Sequence, residues 1–133
     1  MERLNLKTHR RTELIEITDK IQAVVSKSKI TDGFCIIFVP HTTAGLTINE
    51  NADPSVKQDI LDTLNKSIPL NGGYSHTEGN ADAHIKSSIL GVSLTVFIKD
   101  ARLCLGTWQG IFFVEGDGPR MREVWMKLVN SRQ

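Results

Sequence analysis

The last third of the chain constrains the fold most. It reads SLTVFI, then LCLGTWQGIFFVE, then MREVWMKLV, separated by KDAR and GDGP. Each run is rich in β-branched and aromatic residues and none has a helical period. Both connectors carry turn chemistry, and the second suits a hairpin. A chain that ends this way must build a β-sheet and find something to cover it.

The upstream sequence supplies the cover. RLNLKTHRRTELIEIT alternates as strands do, with a break near His9 to Arg11. Thr18 or Asp19 is placed to cap a short helix with Ile21, Val24 and Val25 on one stripe. FCIIFV is nearly all apolar, which predicts a strand covered on both faces, stopped by Pro40 so that His41 leaves its end. A short strand is expected around Leu46 to Asn49. Asp53-Pro54 opens a second helix, with Val56, Ile60, Leu61 and Leu64 as its buried stripe. Pro69 and Asn71-Gly72-Gly73 make a flexible loop. Asn80 then caps a third helix, Asp82 favours its positive end, and Gly91 terminates it. The predicted order is ββαββααβββ. That is an α+β fold: one compact domain over residues 1–133, with a largely antiparallel sheet and helices packed on it.

Composition excludes several function classes. The 133 residues carry a formal net charge of +1, so nothing in the balance recruits nucleic acid or an anionic membrane. No apolar stretch is long enough to span a membrane, and MERLNLKTHRR has no signal-peptide core. The expectation is a cytoplasmic protein. Cys35 and Cys104 lie in the apolar runs FCIIFV and LCLG, and are expected to be buried, reduced thiols.

Polar residues gather where strands end. Three imidazoles, His41, His76 and His84, would leave one position open on a bound metal, but their spacing matches no local ligand motif and on its own favours three unrelated histidines. The first turn of the helix after Asn80 offers backbone N–H groups to an anion. Arg120 and Arg122 are two apart, so on a strand they would face the same way and clamp a phosphate, or form a solvated basic edge. Thr42 and Thr43 add hydroxyls. Glu50 and Glu115 end predicted strands, where each is a candidate base or a merely solvated carboxylate. Trp108 would stack on a planar ring or fill the core, with Gln109 as its polar neighbour.

In order along the chain stand H-T-T-A, I-N-E-N, Y-S-H, G-N-A-D-A-H, L-G-T-W-Q and E-x-D-G-P-R-x-R. Together they resemble the YjbQ-type family, described as secondary thiamine-phosphate synthase enzymes, from about Leu4 to Val129. The resemblance implies a cytoplasmic homotrimer with a histidine-lined cleft that binds a divalent metal, zinc, through His41, His76 and His84. It carries catalytic roles onto Glu50, His84 and Glu115. Substrate-binding roles fall on Thr42, Thr43, Asn51, Asn80, Trp108, Gln109, Arg120 and Arg122. The implied reaction joins a pyrimidine pyrophosphate to a thiazole phosphate. The competing readings are a metal-dependent hydrolase of a small phosphorylated or amide metabolite and a ligand-binding module without catalysis. The expected partner is a small phosphorylated metabolite, and neither nucleic acid nor membrane.

Overall fold

Two antiparallel sheets face each other across one apolar core. The structure is a computed structural model and describes residues 1–131. Its strands are β1 (Glu2–Lys7), β2 (Glu13–Glu16), β3 (Asp32–Phe38), β4 (Ala44–Glu50), β5 (Ser93–Lys99), β6 (Arg102–Leu103), β7 (Gln109–Glu115) and β8 (Met121–Asn130). Its helices are α1 (Thr18–Ser28), α2 (Pro54–Ser67) and α3 (Ala81–Leu90). The larger sheet runs β1-β8-β3-β5-β6 and the smaller one β2-β7-β4. The fold is α+β, as expected.

The strand carrying apolar cover on both faces is β7, not β3. Along β7, Ile111 and Phe113 enter the main core, while Phe112 and Val114 point the other way to meet Leu14, Ile60, Leu61 and Leu90. The last three residues bring in α2 and α3, so the helices roof the outer side of the smaller sheet. In β3, by contrast, Cys35 and Ile37 are buried, whereas Phe34 and Ile36 are half-buried and Phe38 is exposed. An uninterrupted apolar run does not reveal which of its two faces is covered. The α2 stripe is likewise only half-buried, because that helix lies on the rim of a three-stranded sheet.

The connectors differ from the prediction in one instructive way. Asp100 and Ala101 adopt φ values of 52° and 62° between β5 and β6, which makes KDAR a two-residue hairpin. GDGP instead carries the chain from the smaller sheet to the larger one. It is a crossing between layers, and that crossing positions the site. The segment read as one strand, LCLGTWQGIFFVE, is divided: β6 ends at Leu103 and β7 begins at Gln109. Cys104 falls in that gap and is exposed, contrary to expectation, while Cys35 is buried; both are free thiols. Burial pushes the Cys35 thiol up to about 11.

Helix starts follow local chemistry. Asp53 caps α2 by accepting from Ser55 N at 2.9 Å, with Pro54 in the first turn. Neither Thr18 nor Asp19 caps α1. Thr18 lies inside the helix and its Oγ1 accepts from Ile111 N at 2.8 Å, tying the helix to β7. At the end of α3, Gly91 donates to Ser87 O at 2.9 Å and Gly91 O accepts from Leu46 N at 3.0 Å. A Cβ at Gly45 would stand 2.7 Å from Gly91 O, so glycine there lets α3 lie against β4.

Candidate functional site: a polar cleft above a buried ion pair

Strand parity builds the floor of the site. On β8, Arg122 shares its face with Val124 and Met126, both in the main core. On β7, Glu115 shares its face with Ile111 and Phe113. The two charged residues therefore meet between the sheets, 3% and 1% exposed. Arg122 donates through Nε to Glu115 Oε2 at 2.8 Å and through Nη2 to Glu115 Oε1. Nη2 also donates to Thr43 Oγ1 at 2.9 Å. Thr8 Oγ1 lies 2.9 Å from Glu115 Oε2, and Asp117 N donates to Glu115 Oε1 at 2.9 Å.

Burial pushes the Glu115 carboxyl up, but its bonds to Arg122, Asp117 N and Thr8 outweigh it and hold the carboxyl below its ordinary value. Both oxygens are occupied, so Glu115 is an ionised counter-ion rather than a free base. Arg122 is not part of a solvated basic edge, nor does it pair with Arg120. Arg120 precedes β8, is exposed, and bonds Asp117 through Nε at 2.8 Å and Nη2 at 3.0 Å. Gly116 closes the structure: its N donates to Thr43 O at 3.0 Å, and a Cβ there would stand 2.7 Å from that oxygen.

Above this floor opens a cleft of about 940 Å³. His41, Thr42, Asn80, His84, Ser88 and Arg120 line it, with Phe38, Pro40 and Val92 beside them. Glu78 also lines it, so the lining is of mixed charge and its character comes from hydrogen-bond donors rather than from net charge. His41 Nε2 accepts from Glu123 N at 2.9 Å. A backbone N–H can only donate, so that nitrogen carries no proton and Nδ1–H is the donor that remains. Burial and the nearby Arg122 lower the His41 pKa, which keeps this neutral form.

Asp117 organises the rim. Its Oδ2 accepts from Asn80 Nδ2 at 2.9 Å and from Arg120 Nη2 at 3.0 Å. Asn80 Oδ1 in turn lies 3.0 Å from His76 Nε2. Asn80 thus spends its side chain on this chain of bonds and does not cap α3. His76 and His84 meet edge to face, with ring centroids 5.3 Å apart. A metal held by all three histidines does not fit this arrangement, because the Nε2 lone pair of His41 is committed to Glu123 N. Among the described residues no group of three or more His, Cys, Asp or Glu stands so as to hold a metal ion.

The remaining candidates stand elsewhere. Glu50 pairs with Gln109 at the far end of β4 and β7, six residues from the pairing of Ala44 with Glu115. That is about 20 Å along the strand. Asn51 bonds Glu16 Oε2 at 3.0 Å there, and Trp108 is 62% exposed. Within one chain, Glu50, Asn51, Trp108 and Gln109 form a second cluster, separate from the cleft.

Sequence reasoning missed Asp82, Lys86 and Arg11. Asp82 is fully buried, receives two bonds from Arg11 at 3.0 and 2.9 Å, and one from Lys86 Nζ at 2.9 Å. Burial pushes the Asp82 carboxyl up, yet these two cations bring it down to about 2. The group anchors the start of α3, and so His84, to the β1–β2 connection. The i, i+4 pair of Asp82 and Lys86 is legible in the sequence; its burial is not.

Comparison with known proteins agrees with this architecture. A family model described as "UPF0047 protein YjbQ-like" matches residues 2–131. The chain belongs to the UPF0047, YjbQ-like family. It is 57% identical over 127 residues to UPF0047 protein MJ1081 of Methanocaldococcus jannaschii, covering 96% of this chain and 92% of that protein. UPF0047 protein YugU of Bacillus subtilis is 48% identical over 127 residues, covering 95% of this chain and 96% of that one. A crystal structure of a YjbQ/UPF0047 family protein from Clostridium acetobutylicum superposes with a TM-score of 0.95 at 49% identity, covering 97% of this chain and 100% of the other. A YbjQ-like protein of unknown function from Sulfolobus solfataricus gives 0.93 at 34% identity, covering 98% and 96%. No helix among the described residues is long and apolar enough to cross a membrane.

Proposed function

We propose that this UPF0047 member is a cytoplasmic enzyme that binds a small phosphorylated metabolite in the cleft above the Glu115–Arg122 pair. The observation that carries the reading is the convergence of donors on one open volume: Arg120, the Nδ1–H of His41, the Thr42 hydroxyl and the His84 ring. Phosphate oxygens accept from donors held this way without needing a net positive field. Asp117 fixes Arg120 and Glu123 N fixes the His41 ring in advance, which is how a site stabilises charge that develops during reaction.

The finer reading is a transferase of the thiamine-phosphate synthase type. In that reaction the methylene carbon of a pyrimidine loses its bond to diphosphate and gains one to the thiazole nitrogen. Arg120 and His84 would take the departing diphosphate. Trp108 is not available to the same cleft from the same chain. A divalent cation, zinc included, belongs to the reading only at the His76 and His84 pair, and no step above depends on it.

The test is direct. The purified protein is incubated with both substrates, with and without added zinc or magnesium, and thiamine phosphate is followed by chromatography. Product from wild type that disappears in His84→Ala supports the transferase. Product formation at the same rate in His84→Ala and Arg120→Ala would overturn it. Elemental analysis of wild type beside His76→Ala and His84→Ala tests the cation.

A further inference from the structure

Between the buried ion pair and the exposed Arg120 stands Thr8, 1% exposed. It follows β1, and strand parity turns it inward with Leu4 and Leu6. The pairing of Lys7 with Met121 brings Thr8 opposite Arg120. Residues opposed in this way ordinarily exchange two backbone bonds. Here Thr8 N donates to Arg120 O at 2.9 Å, but Arg120 N donates to the Thr8 hydroxyl oxygen, also at 2.9 Å. A side chain has taken the place of a backbone acceptor. That hydroxyl has one proton to give. Arg120 O, 3.0 Å away, already accepts from Thr8 N, whereas the Glu115 carboxylate is charged and 2.9 Å away. The proton therefore belongs on Glu115 Oε2.

Glu115 then holds the crossing to β8 at both ends. Its Oε1 accepts from Asp117 N at 2.9 Å, and its Oε2 reaches Arg120 N through Thr8. Between those points the chain turns so that Asp117 accepts from the Arg120 guanidinium through both its backbone and its carboxylate oxygens. The same carboxylate accepts from Asn80 at the start of α3. A Cβ at Gly118 would stand 2.8 Å from Thr8 Oγ1 and 2.9 Å from Glu115 Cγ, so glycine there lets the crossing lie against this joint.

Resting on the reading of the cleft as a phosphate site, we propose that Thr8 is a positioning residue: its hydroxyl transmits the fixed geometry of Glu115 to Arg120, and so sets the affinity for phosphate without touching the ligand. Serine keeps the joint because it has the same oxygen. Valine keeps the shape and loses it.

Ethyl phosphate is titrated calorimetrically into wild type, Thr8→Val, Thr8→Ser, Arg120→Ala and Thr8→Val/Arg120→Ala, with Asp53→Ala as a variant weakened at the distant α2 cap. Exchange of the Arg120 amide is followed by NMR in the same proteins without ligand, where Arg120 is present only as a backbone position in the alanine variants. Thr8→Val is expected to bind about fivefold more weakly than wild type, the factor of one hydrogen bond of ordinary strength. Thr8→Ser and Asp53→Ala bind as wild type does. In the Arg120→Ala background, Thr8→Val adds no further loss. The Arg120 amide exchanges slowly in wild type and Thr8→Ser, and faster in Thr8→Val. Wild-type affinity in a folded Thr8→Val, a loss undiminished in the Arg120→Ala background, or an equal loss in Asp53→Ala overturns the positioning role and leaves the phosphate reading intact. Where Thr8→Val does not fold, wild type and Thr8→Ser decide: an Arg120 amide as freely exchanging as an exposed loop amide in either one overturns the proposal, and protection in both sustains it. No binding of ethyl phosphate by wild type overturns the phosphate reading, while the amide rates still decide the joint.

Discussion

Arg122 shows how far a single residue's role depends on which way its strand faces. Paired with Glu115 and bonded to Thr43, it is enclosed between the sheets, and removing one partner leaves the other as an uncompensated buried charge. Glu115→Gln is expected to cost about 3–5 kcal/mol, read as a lowered denaturation midpoint. Adding Arg122→Met should recover part of the loss, and no recovery would mean the pair is not a closed unit. Asp82 makes a second residue-scale prediction. Its pKa is depressed to about 2 by Arg11 and Lys86, from an ordinary value near 3.8. A depressed carboxylate contributes stability above its unfolded pKa and loses it as pH falls towards the folded one. Wild type should therefore lose about 2 kcal/mol between about pH 5 and pH 2 from this group alone. An acid titration of Asp82→Asn with the same slope as wild type would contradict this. At the thiols, Cys104 should label within seconds in the native protein, while Cys35, buried with its pKa near 11, should wait for unfolding. Equal labelling rates would contradict the placement of both.

Elements were legible in the sequence where a local signal fixes them. Asp53-Pro54 marks the start of α2 because the carboxylate and the ring act on the next two residues, and Asp53→Ala should cost about 1 kcal/mol in thermal denaturation. An unchanged midpoint would show that the cap carries no weight. The end of α3 at Gly91, the β1–β2 break and the stop at Pro40 follow the same kind of signal. What escaped the sequence depends on sheet membership. GDGP reads as a hairpin connector, yet it passes from the smaller sheet to the larger, and nothing in four residues encodes which sheet the next strand joins. The same ambiguity made FCIIFV the candidate for double cover when IFFV of β7 holds that place. The site was readable to the same degree. His41, Asn80, His84 and Arg120 all line the cleft, and each sits at a strand end or helix start that the sequence marks. Arg122 and Glu115 lie beneath the cleft because β7 and β8 face each other across the core, a fact of pairing that spacing does not contain.

At the scale of the molecule, nothing among the described residues covers the outer face of the larger sheet. Phe34 and Ile36 are half-buried there and Phe97 is 71% exposed, which together make an apolar face broader than scattered surface residues explain. The homotrimer proposed from the family resemblance would bury it, and light scattering should return three times the mass of one chain; the mass of a single chain would contradict this. Such an assembly also bears on the second polar cluster, Glu50, Asn51, Trp108 and Gln109, which stands about 20 Å from the cleft within one chain. The central claim is that phosphate is held at the cleft and not there. It is tested most directly by calorimetric titration of ethyl phosphate into wild type, Arg120→Ala, and the far-end double variant Glu50→Gln/Trp108→Ala, each checked for folding by circular dichroism. The account predicts an affinity at least about tenfold weaker in Arg120→Ala, the loss expected for one charge-assisted contact, and unchanged in the far-end variant. Unchanged affinity in Arg120→Ala, or a loss confined to the far-end variant, would contradict it.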